Sequence, residues 1–145
     1  MKSLWTSALI LLVLAGASWA DDPCASPDIT AQANLAQTLN SQKKYVDAEA
    51  SATAVLKSCP THPVAVRALG ASLVALKRYD DAVARLTPVI TDKPGTAYAY
   101  LWRGYAFYYK GQSDRMVSDF QTFLNLQPNA PEAKAIRQLI GGLQD

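Results

Sequence analysis

The sequence has one histidine, His62, and two cysteines, Cys24 and Cys59, in 145 residues. A hydrolytic triad needs a base held by an orienting carboxylate beside a matched nucleophile, and no local signature of that kind surrounds His62. A zinc site needs Cys and His ligands at short recurring spacings, which His62 does not share with Cys24 or Cys59. No Cys-x-x-Cys pair is present, the usual spacing of redox-active thiols. Glycine is scarce, at seven residues, and no glycine-rich turn follows a strand-like run, so a phosphate-cradling loop is missing as well. Neither sign of charge dominates. Fourteen Lys and Arg against twelve Asp and Glu give a formal net charge of +2, too little to argue for nucleic acid or an anionic membrane surface. The adjacent carboxylates Asp80 and Asp81 lack the partners that acid–base work requires. At a helix start, the place that they and Asp47 occupy, negative charge instead favours the helix dipole. The expectation is a protein with no enzymatic activity, no metal and no cofactor.

Long apolar runs are also few, and the longest, Ala8 to Ala17, sits near the amino terminus. Lys2 supplies a positive start, Ser18-Trp19-Ala20 puts small residues where a signal peptidase reads them, and Asp21 and Asp22 follow. This is the pattern of a Sec-type signal peptide over residues 1–20, cleaved after Ala20. The run is shorter than the roughly 20 residues that a membrane span needs, so no stable membrane insertion is expected after cleavage. Ala17, not cysteine, follows Leu14-Ala15-Gly16, which argues against lipid attachment. The expected location is periplasmic or secreted. In such an oxidising compartment an even pair of cysteines forms a disulfide, here Cys24–Cys59. It would close a loop of about 36 residues, worth ~3–4 kcal/mol on the chain-entropy model.

What remains, residues 21–145, is half apolar like the whole chain and suits one domain. It repeats itself. Residues 45–60 read YVDAEASATAVLKSCP, residues 79–94 read YDDAVARLTPVITDKP, and residues 113–128 read SDRMVSDFQTFLNLQP. The step is 34 residues each time, without a gap, and Pro60, Pro94 and Pro128 close the segments. Upstream, Leu35-Ala36, Leu69-Gly70 and Arg103-Gly104 fall in the same register, as do Leu39, Leu73 and Phe107. Each unit reads as two helices. Val66, Leu69, Gly70 and Leu73 mark one apolar face of a first helix, and Ala82, Leu86, Val89 and Ile90 mark one of a second. Ser41-Gln42-Lys43-Lys44 and Lys110-Gly111-Gln112 are polar turns between them. Pro63 and Pro131 fit helix starts, Ser26 before Pro27 fits a cap, and His62 fits a helix-start residue. Ala133, Ile136, Leu139 and Ile140 form the apolar stripe of a last helix, opposite Lys134, Arg137 and Gln138 and stopped by Gly141-Gly142.

A repeat of this length and pattern resembles the tetratricopeptide repeat. Leu35, Leu69, the small Ala36, Gly70 and Gly104, Tyr45, Tyr79, Ala48, Ala82 and the closing prolines carry the resemblance, which covers residues 29–130. The third unit departs with Arg103 in place of Leu and Met116 in place of Ala. The implied fold is all-α: a right-handed α-solenoid of three helix pairs at 29–62, 63–96 and 97–130, an amino-terminal segment at 21–28 and a capping helix at 131–145. Small residues such as Gly70 and Ala82 would let the two helices of a unit approach, while Leu69, Leu73 and Leu86 fill the space between units. The Cys24–Cys59 bridge would pin the amino-terminal end.

The resemblance also implies that the first helix of each unit lines a concave groove. In that register unit one offers Asn34, Gln37, Asn40 and Ser41. Unit two offers Val64, Arg67, Ala68, Ala71 and Val74. Unit three offers Tyr98, Leu101, Trp102, Tyr105, Tyr108 and Tyr109, with Tyr100 and Phe107 assigned to the core. Tyr and Trp anchor interfaces because each combines a large apolar area with a polar tip. The branch of the family that grips a chain-terminal carboxylate uses lysine and asparagine at registers that here hold Ala33, Gln37, Ala68, Tyr98 and Trp102. That clamp is absent, which leaves Arg67 to pair one acidic group. The expected function is an extracytoplasmic interaction module or scaffold, in envelope or secretion-system assembly. It would bind a protein partner through an extended peptide or a helix. The alternative is a protein that binds cell-wall glycan by stacking sugars on the same aromatic faces.

Overall fold

The computed structural model describes residues 22–142, and the signal peptide expected at residues 1–20 lies outside them. A 3₁₀ turn at Pro23–Ala25 leads into seven helices among the described residues. They are α1 (Pro27–Ser41), α2 (Tyr45–Ser58), α3 (Pro63–Ala75), α4 (Tyr79–Asp92), α5 (Ala97–Tyr109), α6 (Ser113–Leu126) and α7 (Ala133–Gly141). No strand occurs among these residues. The starts of α2, α4 and α6 lie thirty-four residues apart, as do those of α3 and α5, so the sequence period is the structural period. α1 begins two residues ahead of the boundary at 29. α7 begins two residues after Pro131, which lies in the preceding turn rather than inside the helix as Pro63 does.

Local chemistry explains the helix ends. Pro27 and Pro63 open α1 and α3, where the missing N–H leaves no unmet bond. His62 Nδ1 accepts from the Ala65 N–H at 3.4 Å, so the lone histidine is a helix cap. Ser26 occupies the cap position of α1, but its side chain makes no capping bond. Each turn inside a unit reverses through one left-handed residue: Lys43 and Lys77 at φ 60° and Gly111 at φ 69°. There the Lys44, Arg78 and Gln112 N–H groups donate to the Leu39, Leu73 and Phe107 carbonyls, the bond that closes a Schellman motif.

α3 packs against both α1 and α2, and α5 against both α3 and α4. α1, α3 and α5 touch one another in order, whereas α2, α4 and α6 make no comparable contact with each other. The row therefore bends with α1, α3 and α5 on its inner side. Leu69, Leu73 and Leu86 are fully buried, as expected of residues between units. A second cluster holds Phe120, Phe123 and Ile136 beneath α7, whose Lys134, Arg137 and Gln138 face outward. Burying one such side chain is worth roughly 1.5–3 kcal/mol. The Cys24–Cys59 disulfide, with Cα atoms 5.4 Å apart, fastens the 3₁₀ turn to the end of α2.

Two small residues act differently from each other. A Cβ on Gly70 would lie 2.4 Å from the Trp102 Cβ, so this glycine admits the next unit's first helix rather than its own unit's second. Gly104 does serve its own unit: a Cβ there would lie 2.6 Å from Phe120 Cε1. Arg103 replaces the leucine of the other units with an ion pair. Its Nε and Nη2 donate to the two Asp119 carboxylate oxygens at 2.8 Å each, and its Nη1 donates to Thr87 Oγ1 at 3.1 Å. The Asp119 side chain is only 6% exposed. Arg103→Leu alone, or Asp119→Ser alone, should lose about 3 kcal/mol in urea denaturation, because each strands a buried charge. The double variant, which carries the residues of unit one, should recover most of that loss.

Candidate functional site

The inner face is built from α1, α3 and α5, and its three strips differ as their side chains do. On α1, Asn34 and Gln37 are exposed beside Thr38 and Ser41. Asn40 is committed elsewhere: its Nδ2 donates to the Ala68 carbonyl at 2.8 Å and ties α1 to α3. On α3, Val64, Ala71 and Val74 are partly exposed, while Ala68 is buried.

Arg67 does not stand free as the sequence suggested. Its Nη2 donates to Glu132 Oε1 at 2.7 Å, and its guanidinium lies 4.3 Å from the centre of the Tyr98 ring. The Tyr98 hydroxyl donates to Glu132 Oε2 at 3.3 Å. Glu132 enters from the turn before α7, one repeat step beyond Tyr98, and neutralises the only cation of this strip. Sequence reasoning passed over it because the last segment was read only as a cap. Its register, shared with Val64 and Tyr98 at the start of each unit, was the available signal.

α5 supplies the aromatic strip with one correction. Leu101, expected in the groove, is 0% exposed. Leu101 belongs to the core cluster that also holds Phe123 of α6 and Ile136 of α7. Trp102 is seated against Gly70, with its indole N–H buried and unpartnered. Its ring lies 5.4 Å from that of Tyr105, which meets Phe120 edge-on at 5.2 Å. Tyr108 and Tyr109 are the open aromatics, 42% and 55% exposed. Tyr109 stacks on Tyr79 of α4 at 5.1 Å, and Tyr108 meets it edge-on at the same distance. An ion pair between Lys110 and Asp80 bridges the same seam. Tyr79 was not recognised as part of this patch because its repeat position had assigned it to the framework. Phe107 is buried as expected, and Tyr100 is partly buried, with the Arg103 guanidinium 5.9 Å from its ring centre.

The result is a shallow, nearly uncharged surface: amides on α1, small aliphatics on α3, and half-exposed aromatic rings on α5. Among the described residues, no group of three or more His, Cys, Asp or Glu side chains is placed to hold a metal ion. No helix there is long and apolar enough to cross a membrane. Burial is the main cause that raises the Tyr98 phenol above its ordinary value near 10; Arg67 opposes the rise and Glu132 adds to it. Burial also raises Tyr105, with smaller contributions from Glu132 and Tyr109. Both folded values exceed the unfolded one, so the stability these phenols contribute is complete below about pH 10 and is lost as pH climbs through the raised values. In a phenolate absorbance titration these two tyrosines should ionise after ordinary exposed ones. Glu132→Gln should bring Tyr98 down; an unchanged titration would mean that Glu132 does not face it.

No family model matches the sequence, and no curated protein matches it. Solved structures do. The first TPR of Spaghetti (RPAP3), bound to the HSP90 peptide SRMEEVD, is 21% identical with a TM-score of 0.67, covering 81% of this chain and 94% of that one. The Yersinia enterocolitica type III secretion translocator chaperone SycD is 19% identical with a TM-score of 0.68, covering 83% and 91%. MamA residues 41 to the end, from Desulfovibrio magneticus RS-1, is 27% identical with a TM-score of 0.62, covering 79% of this chain and 63% of that one. With α2 to α6 in the thirty-four-residue register and these neighbours, the chain has the tetratricopeptide-repeat fold, an all-α solenoid of three helix pairs closed by a capping helix.

Proposed function

We propose that this protein is a non-enzymatic, extracytoplasmic interaction module that holds an extended peptide or a helix of a protein partner along the inner face of α1, α3 and α5. The observation that carries the proposal is the aromatic strip of α5. Trp102 and Tyr105 form a partly exposed anchor, and Tyr108 and Tyr109 extend it into solvent. Aromatic side chains of this kind dominate interface energetics because each contributes about 150–250 Å² of area at little entropic cost. The ligand suited to this face is apolar or aromatic and lacks a recognised carboxylate, because Glu132 already occupies Arg67. A neighbour of the same fold solved with a peptide bound supports a peptide as the ligand class. The export pattern of residues 1–20 and the Cys24–Cys59 bridge support an oxidising compartment, periplasmic or outside the cell. Envelope or secretion-system assembly is the setting that such a location favours.

The test is selection from a displayed peptide library on the wild-type protein, followed by binding measurements on the selected peptides. Tyr108→Ala/Tyr109→Ala should weaken binding at least about tenfold, the effect of losing one hot-spot side chain of ~1.4 kcal/mol, with a stability loss no larger than the ~0.5–1.5 kcal/mol of the Tyr79–Tyr109 stack. Peptides that bind the double variant equally well would displace the ligand from this face. Retention of the protein on isolated peptidoglycan, with no peptide selected, would favour the glycan reading instead.

A further inference from the structure

The two ends of the helical row are finished differently. At the carboxy-terminal end α7 buries Ala133, Ile136 and Ile140 and turns its charged side outward, the polar face that the end of a repeat array requires. At the other end the 3₁₀ turn touches α1 but leaves Ala31, Gln32 and Leu35 exposed. On α3, the side that meets the preceding unit is enclosed, with Ala65, Val66, Leu69 and Leu73 no more than 1% exposed. The residues at the first three of those registers on α1 are Ala31, Gln32 and Leu35. All three are exposed, Leu35 at 52%, and Leu39 at the fourth is partly exposed. α1 thus retains a stacking surface with nothing among the described residues stacked on it.

That surface is matched to itself. Leu35 lies beside the midpoint of α1. Four residues to either side stand small Ala31 and large Leu39, and three residues to either side stand Gln32 and Thr38. Seven residues to either side stand Asp28 and Gln42, the latter followed by Lys43 and Lys44. Steps of three, four and seven return to one side of a helix, so these residues share a face. Two copies of α1 laid antiparallel about a two-fold axis at Leu35 bring the members of each pair together across the contact. Alanine then meets leucine, amide meets hydroxyl, and the acidic start of one helix meets the basic end of the other. None of Asp28, Lys43 and Lys44 takes part in an ion pair among the described residues. The centre of the stripe carries no charge, so a second copy is not repelled.

The geometry points to α1 as the interface of a head-to-head homodimer, two copies of this chain meeting isologously at Leu35. The aromatic strip of α5 lies on a different face and stays open on both copies, so the dimer presents two binding faces at once. A contact of one helix from each copy is smaller than the roughly 1,200–2,000 Å² of a standard interface, so the dimer is weak and reversible.

Sedimentation velocity of the purified protein from about 1 to 500 µM, a range suited to a weak, reversible dimer, should show monomer passing to dimer. Leu35→Glu should remain monomeric at the top of the range with an unchanged melting curve, because Leu35 is exposed in the monomer. Under mild oxidation Leu35→Cys should join two copies through a disulfide on the two-fold axis, whereas Gln37→Cys, on the opposite side of the same helix, should not. A monomer at every concentration overturns the proposal, whether solvent or the residues preceding 22 cover the face. A dimer that survives Leu35→Glu, or equal cross-linking at position 37, overturns the assigned interface.

Discussion

The seat of Trp102 against Gly70 is the contact on which the arrangement of the molecule turns. A methyl group at position 70 would lie 2.4 Å from the Trp102 Cβ, a separation that packed atoms do not adopt. Its absence lets α5 approach α3 closely enough for the indole to close the seam between the second and third units. The same contact orients the aromatic strip: with Trp102 lodged, Tyr105 lies against it and against Phe120, and Tyr109 reaches Tyr79 on α4. One missing Cβ thus links packing between repeats to the surface on which recognition is proposed.

In a solenoid each unit contacts only its neighbours, and stability is close to a sum of unit and seam contributions. Polar ties reinforce those seams. Asn40 reaches the Ala68 carbonyl, and Glu49 on α2 accepts from Arg78 and from Arg85 on α4 at 2.6 and 3.0 Å. Arg67 bridges past Tyr98 to Glu132. The Asn40 and Arg67 ties hold side chains that would otherwise be free in the concave face. They explain why the face is less charged and less amide-rich than its residue types suggest.

The architecture was legible because a gapless thirty-four-residue period is a strong constraint. It even carries α4 through Pro88, a residue that taken alone would argue for a break and that lies inside the helix on its exposed side. The disulfide was legible because the sequence holds only two cysteines, which leave one pairing. The site was legible as a strip but not as individual contacts. Leu101 carries the right register for the groove, and only the packed structure shows that it belongs to the core cluster with α6 and α7 residues. Arg67 and Asn40 look available in one dimension because their partners, Glu132 and the Ala68 carbonyl, are sixty-five and twenty-eight residues away. The role of Gly70 was assigned to the wrong pair of helices, since a small residue announces a close approach without naming what approaches.

The central claim is tested most directly at Gly70. In a chain beginning at Asp21, Trp102 is the only tryptophan, so its emission reports the seam alone. Gly70→Ala should displace the indole, shift its emission toward that of exposed tryptophan and lower stability in urea by about 1–3 kcal/mol, the range for overpacking a closed contact. Gly95→Ala, where an added Cβ meets nothing within 4 Å, should leave the emission unchanged. If Gly70→Ala keeps both the emission and the stability of the wild type, the seam is not held by this contact, and the placement of the aromatic strip loses its physical cause.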